Sequence, residues 1–597
     1  MQYSTLRKIF LWRLKNISSR NLTLILSVII GFLSGLIALF LKTSVFYIHK
    51  FLNENNFEFT FSNYFLLIYP SIGILLTVLM KKFVIKSKVK HNIASILHSI
   101  ARRNSCIEGH KIFSSALGGI LTAGFGGSIG LESPIISSGS AIGSKIGKTL
   151  HLNYKTVTLL LACGASGAMA AIFNTPLTAV IFAFEVLLID LSQFSLIPLL
   201  MASISGAIVT KIFYIEEILF NFKITDKFVS EELPFFILFA IISGLISSYF
   251  TFMYVFIEKK FLKIKRTHNH IFIGALIIGL MIFLLPPFYG EGFRTIKYIL
   301  SGNYEDIING TPYFLFKDNF FVVIIFFSLL VFLKVVATII TVASGGIGGI
   351  FAPSLFSGAI SGFLFAFTTN NIFEFLGINI HLSEMNFAIV GMASMLGGVL
   401  HAPLTGVFLI VEITGGYELM LPLMLTTTLA FLTTKYFTEN SIFTMQLAKK
   451  GELITHHKDK AVLNFMKLKN LIEKDLKSVN INDKLGDLVK VIVKSKRNIF
   501  PVINEKNIFL GMVSLDSLRE LMFNTKMYEK ILVKNLLTYP KIQIKIDDNM
   551  EDVMKKFKNT NAWNLPVIDN EGKYIGFISK SKMFSVYRKL LIDISSD

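Results

Sequence analysis

Long apolar segments without charge are the feature that most limits how this chain can fold. Residues 22–41, 233–257, 271–290 and 319–333 contain no Asp, Glu, Lys or Arg. Several of these runs approach the ~20 residues that an α-helix needs to cross ~30 Å of hydrocarbon. Shorter apolar runs are interrupted by Gly or Pro, as in helices that stop partway through a membrane. With a mean hydropathy of +0.61, the sequence predicts a polytopic α-helical protein in a lipid bilayer.

The charge distribution predicts how the chain is oriented. The segment 1–21 is basic and runs directly into the first apolar segment, so it does not resemble a cleaved signal peptide. Basic flanks stay on the inner side, which predicts cytoplasmic N- and C-termini and a location in the plasma (cell inner) membrane. The net charge is +20. The basic residues lie mostly near the N-terminus and in the C-terminal third. Membrane orientation and solvent-exposed surfaces explain this distribution without a nucleic-acid partner.

A change in composition near residue 450 separates two regions. We predict a membrane domain at 1–450 and a linker at 451–465. The remainder contains the stretches "FPVINEKNIFLGMVS" and "LPVIDNEGKYIGFIS", each preceded by a helical pattern. Such a repeat predicts two α+β modules, which we place at 466–525 and 526–590 on the cytoplasmic side.

The membrane region is also internally repeated. The stretch "FNTPLTAVIFAFEV" matches "LHAPLTGVFLIVEI", and upstream of each copy "GLESPIISSG" matches "GIFAPSLFSG". The second match pairs Gly130 with Gly349 and Pro134 with Pro353. Two matches in the same order indicate duplication, which is typical of transporter folds. In such folds the binding site lies near the middle of the membrane, where broken helices from both halves meet.

A single acid, Glu132, stands in the first of these Gly-rich turns. A Pro near each turn predicts a helix start, and a helix start has free N–H groups and a partial positive charge. Two such ends that converge would bind an anion, and Glu132 would occupy that site until a mobile ion or a proton displaced it. The alternative is a capping acid at the membrane surface. However, the equivalent second turn (Ile350, Phe351, Ala352) is apolar and needs no acid.

At these turns the sequence resembles a known family. "GLESP" and "GGIFAP" are similar to the Gly-x-Glu-x-Pro and Gly-x-Phe-x-Pro signatures of the CLC chloride channel and transporter family. The resemblance implies an inverted-repeat fold with broken helices, and a homodimer with one anion pathway in each subunit. It makes Glu132 the gating glutamate and chloride the ligand. The anion-binding residues it implies are His91, Gly130, Leu131, Glu132, Ile350, Phe351 and Phe443. His91, in "KHNIA", stands where the family has serine, and Phe443 stands where it has tyrosine.

The choice between channel and exchanger depends on Val186. Exchangers of the family usually carry a proton-transferring glutamate at this place, and valine cannot transfer a proton. This favours a voltage- and glutamate-gated chloride channel with passive conduction. The alternative is a proton-coupled exchanger of chloride or another anion. We interpret the neighbouring Glu185 and its repeat partner Glu412 as structural residues bonded to helix ends or side chains.

The C-terminal modules resemble a pair of cystathionine-β-synthase-type (CBS) domains. The family's ribose-binding aspartate is replaced by Ser517 and Lys582, so the resemblance favours the fold more than a nucleotide ligand. We expect no other cofactor. Enzymatic activity is not expected, because the sequence has no His-Glu-x-x-His, no paired cysteine ligands and no P-loop. A sensor with a simple membrane anchor is a further alternative, but an anchor does not need duplicated helix breaks.

Overall fold

A computed structural model describes most of the chain. The described residues are 18–54, 64–85, 92–213, 228–263, 267–309, 311–316, 319–449, 466, 468–560 and 562–595. They form two compact units, Met1–Leu453 and Ile454–Asp597. His91, predicted to contact the anion, lies outside the described residues, as does the predicted linker at 451–465.

The first unit is helical throughout its described part. Its α-helices are α1 (Ser19–Glu54), α2 (Tyr69–Met80), α3 (Ile93–Arg102), α4 (Lys111–Gly124), α5 (Glu132–Thr149), α6 (Tyr154–Phe173), α7 (Pro176–Glu185), α8 (Gln193–Phe213), α9 (Leu233–Lys263), α10 (Thr267–Leu284), α11 (Phe293–Leu300), α12 (Glu305–Asn309), α13 (Phe320–Ala343), α14 (Phe351–Leu376), α15 (Glu384–Leu400), α16 (Pro403–Thr414), α17 (Met420–Phe437) and α18 (Ile442–Lys449). Many are too short to cross a bilayer.

Seven helical segments in the described residues are long and apolar enough to span a membrane. The outer ones, such as α1, bury less than half of their apolar window and present large side chains outward. The windows of α6 and α14 are 83% buried, which places these two helices in the interior. The predicted polytopic fold with interrupted helices is therefore confirmed.

The duplication seen in the sequence reappears in how the inner helices pack. Helix α5 lies against α6, and α14 lies against α15 in the same way. An added Cβ at Gly139 would overlap the carbonyl oxygen of Gly164, and one at Gly358 would overlap that of Gly391. Each pair therefore lets two helix backbones approach closely, as small residues do in membrane helix packing. Gly139 and Gly358 are the residues that the sequence repeat aligned.

The second unit contains two three-stranded sheets with matching topology. Its elements are β1 (Val479–Asn480), α19 (Leu485–Val493), β2 (Ile499–Ile503), β3 (Phe509–Ser514), α20 (Leu515–Leu518), β4 (Ile544–Lys545), α21 (Met550–Thr560), β5 (Asn564–Ile568), β6 (Tyr574–Ser579) and α22 (Lys580–Ser595). In each sheet a short strand runs parallel to the central strand, which pairs antiparallel with the third. Pro501 lies opposite Met512, and Pro566 lies opposite Phe577. The predicted α+β repeat is confirmed.

We expect alanine at Gly139 or Gly358 to destabilise the first unit, because the methyl group would push two helix backbones apart. Overpacking of this kind costs about 1–3 kcal/mol. The measurement is the thermal unfolding midpoint of the protein purified in detergent. Gly109→Ala is the control, since a Cβ there meets only the Lys145 side chain, at 3.7 Å. Equal midpoints for Gly139→Ala and Gly109→Ala would contradict the packing argument.

Candidate anion site

The two Gly-rich turns of the first unit, the membrane unit, are joined by a short backbone bridge. The Gly130 N–H donates to the Gly349 carbonyl at 2.9 Å, and the Gly349 N–H donates to the Gly130 carbonyl at 2.8 Å. These residues come two positions before the first residues of α5 and α14. The bridge therefore holds the two helix starts side by side, as the repeat predicted.

Neither helix start is capped by the side chain of its own N-cap residue. Leu131 precedes α5 and Ile350 precedes α14, and neither side chain accepts a hydrogen bond from its helix. Both residues are buried. The free N–H groups of the first turns give each start a partial positive charge. Two such ends beside each other make an environment suited to an anion.

Glu132 is the first residue of α5, and its side chain is 0% exposed. Neither carboxylate oxygen has a hydrogen-bond partner among the described residues. The backbone N–H groups of Ala352 and of Glu132 itself face the carboxylate, without reaching hydrogen-bond geometry. One carboxylate oxygen lies where a Cβ of Gly130 would stand. The alternative of a capping acid at the membrane surface is therefore wrong, because the side chain is fully buried between the two turns.

The predicted aromatic residues of the site lie in different surroundings. Phe351, the first residue of α14, is buried and its ring centroid lies 5.4 Å from that of Phe173. Phe443 is buried in α18. Helix α18 packs against α3, which begins two residues after His91. The anion-binding roles of Phe443 and His91 stay predictions.

Glu185, the last residue of α7, caps the start of α16, and Glu412, in α16, caps the start of α7. The Glu185 carboxylate accepts from the Leu404 N–H at 3.0 Å, and from the N–H and hydroxyl of Thr405, both at 2.7 Å. In the other half, the Glu412 carboxylate accepts from the Leu177 N–H at 2.9 Å, and from the Thr178 N–H at 2.7 Å. The Thr178 hydroxyl completes the match at 2.5 Å. The predicted bonding of both glutamates to helix ends and side chains is confirmed, and their purely structural role stays a prediction.

Two charged residues near the site were missed by the sequence reasoning. The Leu131 N–H donates to Glu291 Oε1 at 3.2 Å. Lys334 is fully buried, and its Nζ donates to Ser128 Oγ at 2.9 Å. A signal for Lys334 was present, because it is the single charge in the apolar sequence of α13. Glu291 stands in a Gly-x-Gly turn with no repeat partner, so the duplication gave no indication of its role.

Comparisons with known proteins agree with the fold and the motifs. A family model described as voltage gated chloride channel matches residues 72–435, and the CBS domain model matches residues 468–524 and 533–589. The chain belongs to the voltage gated chloride channel family. The H(+)/Cl(-) exchange transporter ClcA of Vibrio cholerae serotype O1 is 28% identical over 317 residues. This match covers 52% of the chain and 63% of that relative, so it spans less than two thirds of the relative's length.

Solved structures share the CLC-type fold. A slow cyanobacterial Cl-/H+ antiporter aligns with a TM-score of 0.60 at 21% identity, over 73% of this chain and 99% of the other. A CLC-type fluoride/proton antiporter aligns with a TM-score of 0.57 at 21% identity, over 72% and 99% of the two chains. At this level of identity the likeness shows the fold, and the predicted CLC-type fold is confirmed.

The prediction of a passive channel is wrong. It depended on one position, Val186, which is buried near the end of α7 and carries no group that binds a proton. The curated relative is named as an exchange transporter, and the two structural neighbours are antiporters. A valine excludes only that side chain as a proton carrier. It does not exclude other proton routes, so the step from Val186 to a channel was not justified.

We expect Glu185→Gln and Glu412→Gln to lower stability by similar amounts, because each removes a charged acceptor from three hydrogen bonds. Loss of an acceptor for partly buried hydrogen-bond donors costs about 1–3 kcal/mol of unfolding free energy. Thermal unfolding of both purified variants measures it, with exposed Glu374→Gln as the control. If Glu185→Gln kept full stability and instead abolished proton transport, the structural role of Glu185 would be wrong.

Proposed function

We propose that the chain is a proton-coupled anion exchanger that carries chloride, with Glu132 as the group that gates the anion site and binds the proton. The observation that supports this most is the buried Glu132 carboxylate, without a hydrogen-bond partner in the described residues, between two uncapped helix starts. The exchange transporter named among the relatives points in the same direction.

Elementary electrostatics explains why such a site would couple two ions. A charged carboxylate inside a membrane protein is costly unless groups around it compensate the charge. Here the compensation comes from partial charges at helix starts, which serve a chloride ion equally well. When Glu132 is ionised, it competes with chloride for these N–H groups. When Glu132 is protonated, it no longer competes, so proton binding and chloride entry are linked at one place.

Further parts of the proposal come from the family resemblance and the charge pattern. We place the protein in the cell inner membrane with both termini in the cytoplasm, as a homodimer with one pathway in each subunit. We assign the CBS pair a structural role rather than a nucleotide site. In support, Ser517 and Lys582 lack the carboxylate that would bind a ribose. Their backbone N–H groups instead donate to the hydroxyls of Ser514 and Ser579, which begin the following helices.

The test is paired measurement of chloride and proton movement in liposomes that contain the purified protein. We expect a chloride gradient to drive protons uphill, with a fixed ratio of the two fluxes. Glu132→Gln removes the proton-binding carboxylate, so proton flux should fall to the level of empty liposomes. Chloride flux should continue and lose its dependence on pH.

Matched controls make this test specific. Glu305→Gln makes the same chemical change at an exposed position of the same unit, and it should retain both fluxes and their ratio. Replacement of chloride by fluoride in the same assay identifies the preferred anion. Chloride flux that never moves protons in the unmodified protein would contradict the exchanger. Coupled flux that survives Glu132→Gln would contradict the assignment of Glu132.

A further inference from the structure

A second carboxylate, that of Glu291, lies beside the helix start that carries Glu132. Glu291 Oε1 accepts the N–H of Leu131, the residue that directly precedes Glu132. This N–H belongs to the group of amide donors that α5 offers at its positive end. One donor of the candidate anion site is therefore already taken by a side chain from another part of the chain, the turn that precedes α11.

Two lysines interact with the turn that carries Glu291. Lys334, on α13, donates to Ser128 Oγ and, at 3.4 Å, to the Gly290 carbonyl, so it joins the first Gly-rich turn to the Glu291 turn. Lys42, on α1, also interacts electrostatically with Glu291, as Lys334 does. These two positive charges compensate the Glu291 carboxylate. Glu291 also lies within electrostatic range of Glu132.

An imidazole, that of His49, and a phenol, that of Tyr289, also lie at the Glu291 turn. The His49 and Tyr289 ring centroids lie 5.4 Å apart. His49 Nε2 lies 3.0 Å from the Ala123 carbonyl oxygen. Arg294 lies on the same segment, but it is exposed, and its guanidinium donates to the Tyr298 hydroxyl. Charged groups that interact electrostatically with Glu291 include Lys42, Lys334 and Glu132.

We propose that Glu291 is a positioning residue of the gate: its carboxylate holds the Leu131 amide and, by like-charge repulsion, sets the pH at which Glu132 takes up a proton and admits the anion. This inference rests on the proposed function, because it acts through Glu132. Glu291 itself is only partly exposed.

The physical argument gives a direction for the effect. A negative charge near Glu132 favours the neutral form of that carboxylate, so Glu132 accepts a proton at a higher pH than it would alone. In Glu291→Gln the charge is removed, while the amide oxygen can still accept the Leu131 N–H. The same substitution removes the carboxylate that Lys42 and Lys334 face, and their positive charge then favours ionised Glu132. Both effects require more acid to open the gate.

The experiment measures chloride flux in liposomes while pH is varied on each face separately. For Glu291→Gln we expect the midpoint of the pH profile to move to lower pH by about one unit, or about tenfold in proton concentration. The flux at saturating acid should be unchanged. Glu291→Asp keeps the charge and should keep a midpoint near that of the unmodified protein. Glu305→Gln removes an exposed acid from the neighbouring segment and serves as the control.

The outcomes separate this inference from the proposed function. If Glu132→Gln abolishes the pH dependence but Glu291→Gln leaves the midpoint unchanged, Glu291 has no part in the gate and the exchanger proposal stands. An equal shift for Glu291→Gln and Glu305→Gln also contradicts the inference, since it would reflect surface charge alone. If Glu132→Gln keeps the full pH dependence, the proposed gate itself fails. A Glu291→Gln protein that does not fold is replaced by Glu291→Asn, which also removes the charge and should move the midpoint to lower pH, and an unchanged midpoint there contradicts the inference.

Discussion

The pair of hydrogen bonds between Gly130 and Gly349 is the interaction on which the membrane unit depends. It joins the two halves at the point where each half begins an inner helix. Without it the starts of α5 and α14 would not share one environment, and neither start alone offers enough positive charge to offset a buried carboxylate. The burial of Glu132 between the two turns and the closeness of Ala352 both follow from this contact.

The close packing of the inner helices supports the same arrangement. Glycine pairs allow α5 to lie against α6, and α14 against α15, with backbones in contact. In lipid there is little hydrophobic drive between helices, so close van der Waals packing of this kind supplies much of the association energy. The helix starts are therefore fixed by rigid neighbours, which a site with precise amide directions needs.

The sequence was sufficient for the fold and for part of the site. Duplicated motifs predicted the paired turns, and the bonding of the repeat partners Glu185 and Glu412 to helix ends could be predicted because both halves carry them. Glu291 was missed, since it comes from a turn with no counterpart and about 160 positions after Leu131 along the chain. Val186 was misleading because one apolar side chain was used to decide a transport mechanism. A long-range hydrogen bond and a proton route are both three-dimensional properties that a linear pattern does not encode.

The exchanged glutamates have a consequence for how the protein is made. Helix α7 receives its cap from Glu412, and α16 receives its cap from Glu185, so each half finishes a helix of the other. During synthesis the backbone N–H groups at the start of α7 lack their acceptor at first. Glu412 is made more than two hundred residues after Thr178. A nascent chain that stops before residue 412 lacks this cap. The first half alone would therefore be an incompletely folded chain for the cell's membrane quality control, not an independent domain.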